Sequence, residues 1–171
     1  GNYSVQASEG LQKYATEIQK TLGVGDEVTL GVMGQIEAIT KLSDEALPKA
    51  MDAVIQISNL YNKDYQTAAQ MLAKTIASNT NAFGRMGLEI DMSKDAMGRL
   101  LEILEKTSAG MDVAKAKVET LEGRILMLKN AWGEFQEAIG GYVIASPGLQ
   151  TAITKITDRI NDQTEAVTEA N

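Results

Sequence analysis

The chain has 171 residues, 44% of them hydrophobic, yet only two Phe, five Tyr and one Trp, so a core must be built mainly from aliphatic, Met and Ala side chains. Sixteen basic against 23 acidic residues leave a net charge of −7, which argues against binding a phosphate backbone. With no Cys and no His there is no disulfide framework, no thiolate, no ordinary neutral-pH acid/base and none of the commonest metal ligand.

No apolar run approaches the roughly 20 residues of a membrane-spanning helix, and the start lacks the basic, apolar and small-residue order of a signal peptide. Gly1 in place of an initiating Met, ahead of a polar, helix-like start, reads as a piece of a longer chain.

Helices are expected almost throughout. Over 9–22, Leu11, Ala15, Ile18 and Leu22 recur at helical spacing, and Gly23 and Gly25 supply a stop. Asp26 is the expected cap of a second helix over 27–41, with Val28, Val32, Ile36 and Ile39 on one face and Gly31 and Gly34 weakening it. Ser43 then caps a third, whose stripe is Leu47, Ala50, Val54, Ile57 and Tyr61. Pro48 marks its first turn or a kinked start. Asp64 caps "YQTAAQMLAKTIA", where Ala68, Ala69, Ala73 and Ala77 would let a neighbour approach closely.

"SNTNAFGRMGLEIDMS" has turn chemistry, and its "LEID" could pair briefly as a strand. Ser93 is the expected cap of a fifth helix running to about Thr107, with Met97, Leu100, Leu101 and Leu104, and "SAGMD" breaks it near Gly110. From Met111 to Tyr142 a sixth helix carries Met111, Ala114, Val118, Leu121, Ile125, Leu128, Trp132, Phe135, Ile139 and Tyr142 at alternating spacings of 3 and 4. That heptad seam predicts helices packed at a shallow angle. Ser146 and Pro147 read as cap and first position of a seventh helix, where Leu149, Ile153, Ile156, Ile160, Gln163 and Val167 continue the pattern. The expected organisation is a shorter-helix bundle over 1–110 and a heptad-patterned hairpin or oligomeric coil over 111–171, all-α with six to seven helices.

Catalytic motifs are missing. "GVGDE" lacks the third glycine, the preceding strand and the Lys-Ser/Thr of a phosphate loop. There is no GxSxG and no Ser followed by Lys three residues on, and no Cys or His for the usual nucleophile pairs. "DMSKDAMGRLLE" has Asp first and Glu last, but lacks the glycine at the sixth position of a calcium loop. The acidic residues suit helix starts and solvated faces. Trp132, between Leu128 and Phe135 on the seam, is expected to pack in a core, where Trp132→Ala would cost roughly 3–5 kcal/mol. No catalytic residue, cofactor or metal is expected.

"LQKYATEIQKTLGVGDEVTLGVMGQIEAITKLSDEALPKAMDAVIQISNLYNKDYQTAAQMLAK", "GRMGLEIDMS" and "LEGRILMLKNAWGEFQEAIGG", in that order, resemble the helical region of tail tape-measure proteins of long-tailed bacteriophages and prophages. The resemblance covers about residues 9 to 142. The chain departs from the family's common pattern at Asn62 and Lys63, where many members have Gly before the Asp of the alanine-rich helix. It also lacks an Asp-Pro after the corresponding Lys.

The resemblance implies a ruler inside the tail tube, made in the bacterial cytoplasm, whose chain length sets tail length. It also implies contacts with tail-tube, tail-tip and tail-assembly chaperone proteins; that no nucleic acid is bound by this region is the expectation from its net charge of −7. The residues themselves leave two other readings. One is a helical adaptor that binds a partner helix through its apolar seams. The other is a carboxylate-dependent hydrolase. The seam residues Val118, Leu121, Ile125, Leu128, Trp132, Phe135, Ile139, Ile153, Ile156 and Ile160 are the expected interaction surface, and a homo-oligomer is one expected outcome.

Overall fold

The structure is a computed structural model. It describes the backbone of residues 9–143 and 147–169, and side chains over 9–139, at 148 and over 150–166. The described residues form eight helices and no strand. They fall into two units, one ending at Ala116 and the other beginning at Lys117.

In the first unit, α1 (Glu9–Leu22) buries Leu11, Ala15 and Ile18. It stops at Gly23, whose φ of 70° suits a residue without a Cβ. Helix α2 (Asp26–Thr40) starts one residue before the expected cap boundary: Gly25 is the N-cap, and Asp26 accepts the Glu27 N–H at 2.8 Å from inside the first turn. Its buried face is Thr29, Val32, Met33 and Ile36, while Val28 and Ile39 are exposed. The stripe is rotated because α2 packs on α1, α3 and α4 together. Thr29 tolerates burial because its hydroxyl donates to the Gly25 carbonyl at 3.1 Å.

Helix α3 (Leu47–Tyr61) is the centre of this unit. Ser43 does not cap it with its side chain; its carbonyl accepts the N–H groups of Ala46 and Leu47, and Ala46 becomes the N-cap with Pro48 in the first turn. Ala50, Met51, Ala53, Val54, Ile55 and Ile57 all have no exposed surface, so the middle of the helix is covered around most of its circumference rather than along one stripe, while Lys49 and Leu60 stay exposed. Helices α1, α2, α4 and α5 all pack on it.

Helix α4 (Tyr65–Ala77) is capped as expected by Asp64, which accepts the Thr67 N–H at 2.8 Å and the Thr67 hydroxyl at 2.7 Å. Ala68, Ala69 and Ala73 are buried, and Ala77 is exposed. The following segment makes no strand at "LEID": a single 3-10 turn (Gly84–Met86) leads to Leu88 and Ile90, whose side chains enter the core beside the fully buried Phe83.

Helix α5 (Ala96–Lys106) is capped by Asp95, not Ser93. Asp95 accepts the Gly98 N–H at 2.7 Å, while Ser93 gives its N–H and hydroxyl to Asp91. Gly110 is not a stop but lies in the first turn of α6 (Ala109–Glu119). A Cβ there would stand 2.1 Å from the Gln56 carbonyl oxygen, so the α6 backbone can approach α3 only at a glycine.

The long helix expected from 111 to 142 is broken at Thr120. Its hydroxyl donates to the Lys117 carbonyl at 2.6 Å and accepts the Gly123 N–H at 3.1 Å, which caps α7 (Leu121–Val143). A Cβ on Gly123 would meet the Lys117 carbonyl oxygen at 2.3 Å. Helix α8 (Pro147–Glu169) runs back along α7. The expected cap Ser146 and the side chains of Tyr142, Leu149 and Val167 lie outside the described residues.

Candidate interaction surface

In the second unit α7 and α8 share a polar node. The Thr157 hydroxyl donates to the Ile153 carbonyl at 2.9 Å and accepts from the Trp132 indole N–H and the Gln136 amide, both at 2.9 Å. One donor and two acceptor sites are thereby all used. Ile153 and Ile160 are buried on either side, so the inward stripe of α8 is Ile153, Thr157, Ile160 and Thr164, rotated from the expected Ile153, Ile156, Ile160 and Gln163.

The expected seam on α7 divides in two. Ile125, Trp132 and Ile139, seven residues apart, are half-buried. Leu121, Leu128 and Phe135, also seven apart, are 69%, 56% and 45% exposed, as is much of Ile156 on α8. Val118 is half-buried but belongs to α6, beyond the Thr120 break. Trp132 is therefore not the core residue the pattern predicts. It lies across the Phe135 ring, centroids 5.2 Å apart at 30°, an offset stack.

Between the open row and α8 runs a groove of about 430 Å3 lined by Leu121, Ile125, Leu128, Ile156, Ile160, Arg159 and Gln163. Neither the Arg159 nor the Gln163 side chain makes a hydrogen bond or ion pair to another described residue. The sequence reading missed Thr120, Thr157, Gln136 and Arg159. The one available signal was the indole N–H of Trp132, which needs an acceptor wherever the ring is packed.

Polar chemistry in the first unit is internal. Arg99, 8% exposed, donates from Nη1 to the Thr75, Ile76 and Ser78 carbonyls, from Nη2 to Met92 and from Nε to Lys94. It satisfies carbonyls at the C-terminus of α4 that have no helical partner. The two ends of "DMSKDAMGRLLE" do meet, since Glu102 accepts the Asp91 N–H at 3.2 Å. Lys106 at 2.7 Å and Lys94 at 2.9 Å occupy that carboxylate and hold its pKa down at about 2. The Tyr14 hydroxyl donates to Asp52 at 2.6 Å, tying α1 to α3. Burial, more than this bond, sets the Asp52 carboxyl, pushing its pKa up.

No group of three or more acidic side chains among the described residues is placed to hold a metal ion, and no described helix is long and apolar enough to cross a membrane. No family model, curated protein or solved structure matches the chain.

Proposed function

We propose that this chain is part of a tail tape-measure protein of a long-tailed phage or prophage, a non-enzymatic structural element that sets tail length and assists assembly inside the tail tube. The observation that supports this reading is the open row Leu121, Leu128 and Phe135 along α7, a seven-residue apolar repeat suited to lengthwise helix packing in an assembly. In this reading α7 and α8 are a coiled-coil-like hairpin. The resemblance of residues 9 to 142 adds the tail-tube, tail-tip and chaperone partners and the location in the tube lumen.

A ruler converts residues into distance, at about 1.5 Å per helical residue. In-frame removal of 121–169 from the parent phage gene, followed by electron microscopy of tails, is expected to shorten them by about 35 Å, the length of one helix of the hairpin. In-frame duplication of the same segment is expected to lengthen them. Unchanged lengths in both variants overturn the ruler. The same open row also supports a second reading, an adaptor that receives a partner helix; it makes no demand on tail length.

A further inference from the structure

We propose that the contact of Tyr14 with Asp52 and Pro48 is a proton-operated latch: a proton taken up from water by the Asp52 carboxyl tightens the docking of α1 on α3. The Tyr14 hydroxyl lies 2.6 Å from Asp52 Oδ1 and 3.1 Å from the Pro48 carbonyl oxygen. A phenol has one hydrogen to donate, so it cannot serve both acceptors fully at once.

With Asp52 ionised, the hydroxyl gives its hydrogen to the nearer carboxylate, and a half-buried charge is held partly out of water. With Asp52 protonated, the carboxyl O–H donates to Tyr14 Oη and frees the phenol hydrogen for Pro48. The contact then holds two hydrogen bonds and no charge. This second form exists only while α1 is docked, so proton uptake and docking favour each other. Helix α1 buries only Leu11, Ala15 and Ile18, against eight side chains in α3, so one polar contact weighs in whether it stays docked.

The surroundings supply no cation to keep the carboxylate charged. Glu17 on α1 is the other charged group that acts on Tyr14, and it is acidic too. Lys49, one turn before Asp52 on α3, is exposed and makes no ion pair with it. Asp26, Glu27 and Glu37 on α2, which packs on both α1 and α3, act on neither group, nor does any charged side chain of α4, α5 or α6. Burial therefore holds the Asp52 pKa above its ordinary 3.8. Docking strength from this group is fully present below the pKa of the released carboxyl and is lost as pH rises through the docked one. The latch lies wholly in the first unit and does not rest on the ruler reading.

The test is amide hydrogen exchange of the full chain between about pH 4 and pH 7, corrected for the intrinsic exchange rate and referred to residues 68–76 of α4, beside a carbon-13 NMR titration of the aspartate carboxyls. Asp52 is expected to titrate above 3.8. Protection of residues 11–18 is expected to rise as pH falls through the measured value, by up to about tenfold for each pH unit that separates it from 3.8. Asp52→Asn, whose amide can donate to Tyr14 at every pH, is expected to lose this dependence and keep only the part due to Glu17. Tyr14→Phe removes the shared hydroxyl and is expected to lower protection of α1 at every pH. An Asp52 carboxyl that titrates at or below 3.8 overturns the latch. So does the same pH dependence in wild type and Asp52→Asn, or unchanged protection in Tyr14→Phe.

Discussion

The Thr157 hydroxyl stands 2.9 Å from the Trp132 indole nitrogen, and this bond joins two helices whose apolar contact is otherwise half open. Thr157→Val keeps the shape and removes the acceptor, leaving the indole N–H and the Gln136 amide without their shared partner. The expected cost is about 1–2 kcal/mol, read as the unfolding of the second unit followed by Trp132 fluorescence in urea. Because Trp132 is half-buried, Trp132→Ala is expected below the roughly 3–5 kcal/mol of a fully buried aromatic.

Arg99 is the polar centre of the first unit. Lysine retains the charge but cannot reach carbonyls on three sides with a planar fork. Arg99→Lys is therefore expected to lose about 2–3 kcal/mol, and hydrogen exchange is expected to quicken over 78–95, the segment the guanidinium holds to α4.

Two glycines of the same unit should respond in opposite directions to alanine. At Gly110 a Cβ would collide with the Gln56 backbone, and separating α6 from α3 is expected to cost about 2–3 kcal/mol. At Gly31, on the exposed side of α2, a Cβ meets nothing within 4 Å, and the better helix propensity is expected to add up to about 1 kcal/mol. Thermal unfolding of the two variants beside the wild type separates them.

The Glu102 carboxyl, bound by Lys106 and Lys94, has its pKa lowered from 4.5 to about 2. A folded-state value below the unfolded one contributes stability that is fully present above the unfolded pKa and lost as pH falls toward the folded value. The first unit is therefore expected to lose stability between about pH 5 and pH 2, and Glu102→Gln to remove that part of the slope. Asp52 works in the opposite sense, since its raised pKa favours the folded state at low pH. The difference between wild type and Glu102→Gln in denaturant unfolding at a series of pH values isolates Glu102.

Much of the local structure was legible because its causes lie within a few residues. Asp64 has Thr67 three positions on to receive its cap, and Gly23 can adopt the left-handed turn that ends α1. Where two caps compete locally, as Ser93 and Asp95 do, spacing alone does not choose between them. The choice is made where the α5 backbone begins, with Ser93 already engaged by Asp91. The Thr120 break was hidden for a related reason: the 3 and 4 spacing runs through it unbroken, since a capped restart can keep apolar residues in phase.

By itself the sequence determined an all-helical chain, most helix boundaries and the candidate apolar positions, because hydrogen bonding along a helix, capping and side-chain periodicity are short-range. Only the tertiary structure decided which of those positions are covered. The same spacing puts Ile125 and Trp132 against α8 while leaving Leu121 and Leu128 open. Tertiary packing also buried the middle of α3 around most of its circumference, and set Gly110 against Gln56 and Arg99 among the carbonyls of α4. Burial and close approach depend on neighbours far away in the chain, and periodicity carries no record of how many neighbours a helix has.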